Sequence, residues 1–128
     1  MRLLLDTHAL LWWLTEDSSL PASARRAIAH KNNTVMVSAA SAWEIATKVR
    51  LGRLDAAVDL TGDFAGYLAN EQFEGLPISV EHGIRAGSLP GSHKDPFDRM
   101  LIAQAQAESL TIVSNESIFD GYGVRRIW

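Results

Sequence analysis

The chain has no cysteine. That removes disulfides, thiol nucleophiles, zinc–thiolate sites and iron–sulfur clusters from consideration, and it suits a reducing compartment. It has no basic excess either: twelve Lys and Arg stand against fifteen Asp and Glu, for a net charge of −3. No global field therefore attracts nucleic acid, and any such contact must rest on a local patch or a bound cation. Nothing approaches the roughly 20 apolar residues of a membrane span. The nearest candidate, Met1 to Leu14, is broken by Asp6, Thr7 and His8 and runs into Thr15-Glu16-Asp17 instead of a small-residue cleavage site. The expectation is a soluble, cytoplasmic protein with no membrane partner. A glycine-rich turn after the first apolar run is also missing, since that turn reads Asp6-Thr7-His8-Ala9. A dinucleotide fingerprint and a P-loop are thereby excluded.

What is present is a globular composition, 47% hydrophobic and 21% charged over 128 residues, which is the size of one domain (1–128) and enough for a core without staples. Short apolar runs alternate with helical spacing. Leu3-Leu4-Leu5, Val35-Met36-Val37, Leu76-Pro77-Ile78, Thr111-Ile112-Val113 and Val124 to Trp128 read as strands. Helices are expected from His8 to Leu14, Ala22 to His30, Ser38 to Leu51 with Ser38 as cap and Gly52 as stop, Leu60 to Asn70, Glu81 to Ala86, and Pro96 to Ser109. Gly87 to Lys94 reads as the clearest loop. This alternation predicts an α/β architecture with a mostly parallel central sheet flanked by helices. In such folds ligands bind beyond the carboxyl ends of the strands.

Acids gather at those ends. Asp6 closes the first strand, Glu44 lies two turns into the helix after the second, Glu116 follows Thr111-Ile112-Val113, and Asp95 and Asp98 begin the Pro96 helix. Each has a structural reading: Asp6 and Asp95 as helix caps, Asp98 as a favourable charge on a helix dipole, Glu44 as the i,i+4 partner of Lys48, Glu116 as a loop acid. Taken together, carboxylates clustered at one sheet edge repel one another and are costly without a cation. All-oxygen ligands select hard ions, Mg²⁺ or Mn²⁺, and the four histidines show no paired spacing for zinc. Acids around such ions are the usual equipment for phosphodiester hydrolysis.

The segments Leu3-Leu4-Leu5-Asp6-Thr7-His8-Ala9-Leu10-Leu11-Trp12, Ser38 to Ala46 with Lys48 and Gly52-Arg53-Leu54 behind it, His93 to Ala105, and Leu110 to Glu116 through Tyr122-Gly123-Val124 resemble the four motifs of PIN-domain ribonucleases, specifically the VapC-like toxins of bacterial toxin–antitoxin pairs. The third segment is the most specific, and the match is weakest between Asp55 and Gly91. The resemblance implies a Rossmann-like PIN fold and Mg²⁺- or Mn²⁺-dependent endoribonuclease activity. Asp6, Glu44 and Asp98 take the places of the family's metal-binding acids. Asp95 is an extra acid of this subgroup that serves either the metal or the helix start. Glu116 stands where the family usually carries Asp, in a Ser114-Asn115-Glu116 setting, a departure that weakens it as a ligand. The resemblance also implies a homodimer and a small antitoxin protein inserted near the acids, with Trp12, Trp13 and the apolar face from Leu10 to Leu14 available either to that contact or to the core. Lys48, Arg50, Arg53 and Arg99 are the candidates for contacts to RNA phosphates, tRNA and ribosomal RNA being the plausible substrates. The other reading is a degenerate PIN domain that binds protein or RNA without cutting.

Overall fold

The three leucines after Arg2 are all fully buried, which a strand achieves only when both of its faces are covered. They form β1 (Arg2–Leu5), the middle strand of a five-stranded sheet. The computed structural model describes residues 1–54 and 60–128. Beside β1 stand β2 (Thr34–Ser38), β3 (Glu74–Leu76), β4 (Thr111–Val113) and β5 (Arg125–Ile127), in the order β3-β2-β1-β4-β5, with every pairing parallel. The helices are α1 (Thr7–Leu14), α2 (Ala22–Ala29), α3 (Ala39–Arg50), α4 (Phe64–Glu71), α5 (Val80–Ser88) and α6 (Pro96–Glu108), with a 3₁₀ turn at Ser117–Tyr122.

Successive side chains leave a strand on opposite faces, and two cores result. Leu3 and Leu5 enter one with Val35, Val37, Val113, Leu10, Ile28 and Ile45; Leu4 enters the other with Met36, Ile112, Leu101, Ile102 and Phe119. Helices α1 to α3 cover the first face and α6 the second. Trp12 and Trp13 pack against the first core, Trp13 tilted on Phe73 and Trp12 on Trp128. No helix among the described residues is long and apolar enough to cross a membrane.

Local chemistry sets the ends of the elements. The Ser38 hydroxyl accepts the Ala40 N–H at 2.9 Å and caps α3. Gly52, at φ +69°, ends that helix, and the Arg53 N–H reaches back 2.8 Å to the Lys48 carbonyl. Three elements depart from the sequence expectation by more than one residue. The third strand is Glu74–Leu76, not Leu76 to Ile78, because Pro77 has no N–H to continue the ladder and Ile78 is left exposed. The helix expected from Leu60 starts at Phe64, where the Asp63 carboxylate accepts the Gly66 N–H; Leu60 is buried before it. Helix α5 extends through Gly87 and Ser88, so the loop begins at Leu89; at its other end Ser79 and His82 form a reciprocal cap.

The chain runs outward from β1 through β2 and β3, then returns to the other side of β1 through β4 and β5. Connections leaving β1 and β4 diverge, and a crevice opens at their carboxyl ends. Leu5 is in register with Val37 on one side and Val113 on the other, which puts Asp6 abreast of Ser38 and Ser114.

Leu4 tests the two-faced burial directly. Leu4→Ala is expected to cost about 3 kcal/mol, read as a lower denaturant midpoint at unchanged slope. A loss under about 1 kcal/mol would contradict a close-packed second core.

Candidate active site

Asp6 is the innermost acid. It is 4% exposed, and its Oδ1 accepts the Ala9 N–H at 2.8 Å, so it caps α1 as well as ending β1. Burial pushes its carboxyl above the usual carboxylate range; the hydrogen bonds from Ser114 and Ala9 and the nearness of His8 oppose that shift, while Glu116 adds to it. No Lys or Arg side chain contributes to this balance.

Asp98 stands in the first turn of α6. That turn is organised by Pro96 at the helix start and by Asp95, whose Oδ1 accepts the N–H groups of Phe97 and Asp98 at 2.9 and 3.2 Å. Burial raises the Asp98 carboxyl to about 6; Asp95 and Glu116 also raise it, against the lowering effect of His93, whose Nε2 lies 3.0 Å from Asp98 Oδ2. Glu116 follows β4 and bears electrostatically on both Asp6 and Asp98. Its Oε1 is 3.9 Å from His8 Nδ1, and His8 is stacked on Trp12. Glu116 thus lies within electrostatic reach of both Asp6 and Asp98.

Glu44 is held differently. The Thr7 hydroxyl donates to its Oε1 at 2.7 Å and the Lys48 ammonium to its Oε2 at 2.7 Å. It therefore borders the site through Thr7, the neighbour of Asp6 in the chain, with its charge already matched. Asp95 is exposed and engaged as the α6 cap. Arg50 and Arg53 are exposed. Arg99 departs from the role expected of it. Its guanidinium donates to the carbonyls of Ala86, Leu89 and His93 at 3.1, 2.7 and 3.0 Å. These bonds fasten the 89–95 segment to α6 and commit the cation to backbone.

Two contributors were not singled out in the sequence. Ser114, abreast of Asp6 on β4, is one; the register of two parallel strands is the only signal for it, and that is not visible before the strands are paired. His93, five residues before Asp98, is the other. Deeper in, the Ser38 hydroxyl bonds Gln104, and Gln104 lies beside the buried His82, whose Nε2 is 2.9 Å from Glu108. This polar chain ties the end of β2 to α5 and α6.

The donor set is all oxygen, and its buried member has no cationic partner. This is the chemistry of a site for a hard divalent ion. The side chains do not close around one: among the described residues no three His, Asp or Glu side chains are gathered tightly enough to hold an ion. The misfit is one of side-chain placement, and the donor chemistry fits; Glu44 is engaged by Thr7 and Lys48.

Comparison with known proteins agrees with this architecture. The sequence profile of the PIN domain matches residues 3–124. Ribonuclease VapC22 of Mycobacterium tuberculosis is 29% identical over 114 residues, spanning 88% of this chain and 85% of that protein. Two solved structures share the fold at 17% identity. VapBC2 from Rickettsia felis bound to a promoter DNA fragment aligns with a TM-score of 0.73 over 99% of this chain and 98% of its own. DNA-bound VapBC from Salmonella typhimurium aligns with a TM-score of 0.71 over 99% and 97%. With its acids gathered at the switch point of an all-parallel sheet and the profile running through all four motifs, this chain belongs to the PIN-domain family.

Proposed function

We propose that the protein is a metal-dependent endoribonuclease, the toxin of a toxin–antitoxin pair. The observation that carries this reading is the placement of Asp6 and Asp98 at the switch point, both within electrostatic reach of Glu116, with burial and like charge raising both carboxyls and no Lys or Arg side chain acting on either. Such an arrangement destabilises the fold unless a cation offsets it. The similarity to a ribonuclease of the VapC type supports RNA as the substrate; tRNA or ribosomal RNA is the class we propose. The likeness to VapBC complexes supports a small antitoxin as partner. A homodimer belongs to the same proposal.

Asp6 and Asp98 would hold Mg²⁺ or Mn²⁺ with Glu116 in support, and Glu44 would join if released by Lys48. Bound there, the ion supplies Lewis acidity toward water and the phosphate. The chain does the rest. The Ser114 hydroxyl and Ala9 N–H orient Asp6, His93 and the Asp95 cap orient Asp98, and Thr7 orients Glu44. Lys48, Arg50 and Arg53 are the cations left to meet the RNA backbone, phosphate contacts being what positions a nucleic acid.

One observation favours a second reading. With Glu44 neutralised by Lys48 and the acids not closed on one point, the domain would bind protein or RNA without cutting. Purified protein incubated with total RNA in Mn²⁺, Mg²⁺ or EDTA separates the two. Discrete fragments that vanish with EDTA and in Asp6→Asn are expected; no cleavage by folded, antitoxin-free protein would establish the binding module.

The acids are not equivalent. Glu116→Gln is expected to lower the cleavage rate less than Asp98→Asn does, because Asp98 is the more buried of the two; equal losses in single-turnover rates would contradict this ranking.

Asp98 also predicts a pH dependence. The folded protein holds the Asp98 proton more tightly than the unfolded chain, so ionisation costs native stability. Metal-free protein should therefore lose stability as pH rises from about 4 to about 6 and stay at the lower level above that. Asp98→Asn removes the penalty and should raise the melting temperature in EDTA at pH 7.5 by a few degrees, on the order of 1 kcal/mol. A lower melting temperature would mean that the Asp98 charge stabilises the fold. Metal binding requires the ionised carboxyl, so cleavage should increase through about pH 6.

A further inference from the structure

Trp43 is 60% exposed, an unusual position for an indole in a chain with a sufficient core. It stands on α3 immediately before Glu44. Across a narrow gap stands Phe97, immediately before Asp98 on α6. The two rings meet edge to face, centroids 4.9 Å apart. They line a recess of about 210 Å³ together with Ala40, Ile78, Pro96 and Met100. The recess is almost wholly apolar, and the one charged side chain lining it, Arg99, spends its donors on backbone carbonyls. Its size falls below the roughly 300–1,000 Å³ of pockets that enclose a whole small ligand, and suits a single ring system.

Each aromatic residue is the chain neighbour of an acid in the candidate site, with Cα atoms about 3.8 Å apart. Trp43 and Phe97 thus each stand one residue from an acid of the candidate site, on the edge that α3 and α6 share. Proteins read unpaired RNA by stacking its bases on aromatic side chains, a contact that a paired base in a duplex does not offer. We propose that Trp43, backed by Phe97, is the stacking surface for the nucleobase next to the cleaved phosphodiester, so that the substrate is cut at an unpaired nucleotide. This rests on the nuclease reading above and deepens it: it makes Trp43 a determinant of specificity for single-stranded over paired RNA. Lys48 stands one turn further along α3, paired with Glu44.

The test compares wild type, Trp43→Ala and Trp43→Phe on a single-stranded oligoribonucleotide carrying a mapped cleavage site. A second substrate has an abasic nucleotide beside that site, and a third has the site within a duplex. Folding of each variant is checked by its melting temperature. Trp43→Ala is expected to lose about ten- to a hundred-fold in kcat/KM on the intact single strand, and Trp43→Phe to recover most of it. The abasic substitution should cost wild type a similar factor and Trp43→Ala almost nothing, since the partner of the missing base is already gone. On the duplex site the three proteins should be equally poor. Equal cleavage of the single strand by wild type and a folded Trp43→Ala would overturn the stacking role and leave the recess to an apolar side chain of a protein partner. Additive losses from Trp43→Ala and the abasic site would overturn it too. A wild type that cleaves none of the substrates in Mn²⁺ would refute the nuclease reading itself, a result distinguishable from either.

Discussion

A buried carboxylate at the end of the central strand is the constraint around which this molecule is organised. Asp6 is placed by β1, which is covered on both faces, and it cannot be moved toward water without dismantling two cores. Nearby polar groups answer it: the Ala9 N–H from α1 and the Ser114 hydroxyl from β4. Those bonds stabilise the ionised form but do not outweigh desolvation, and Glu116 and Asp98 add charge of the same sign to the crevice. An isolated structural cap would need none of this company. The arrangement is costly as a scaffold and useful as a cation site, in keeping with the rule that perturbed carboxyls gather where chemistry occurs.

The surroundings of that crevice divide into parts with different tasks. The α6 start is over-determined: Pro96 fixes the backbone, Asp95 caps it, and Arg99 clamps the preceding segment through three carbonyls, so Asp98 and His93 meet in a set geometry. On the α3 side the opposite holds. Glu44 is satisfied by two side chains, the buried Thr7 and the partly exposed Lys48, and the second of these can be replaced by a ligand. The rigid half positions a reacting group, and the adjustable half can exchange a salt bridge for a phosphate or an ion. An apolar recess lined by Trp43 and Phe97 stands on the same α3–α6 edge, each of these aromatic residues directly preceding an acid in the chain.

Much of this was legible in the sequence because the signals are local. Thr111-Ile112-Val113 is a strand to the residue, and Ser38, Gly52 and Asp95 act as the caps and stop that their side chains and backbone freedom predict. Asp6 interrupts an apolar run and announces its own burial. What was not legible depends on partners far away in the chain. The shift of β3 by two residues follows from Pro77 and from pairing with β2, the role of Ser114 follows from register with β1, and the diversion of Arg99 follows from where the 89–95 segment folds. The i,i+4 spacing of Glu44 and Lys48 predicted their salt bridge correctly, and that bridge offsets the Glu44 charge.

Anomalous diffraction from a crystal grown with Mn²⁺ shows whether these acids hold a hard divalent cation. A manganese peak within bonding distance of the Asp6 and Asp98 carboxylates, lost in Asp6→Asn, is expected. A crystal with no peak in that crevice, or with manganese only on surface acids elsewhere, would contradict it.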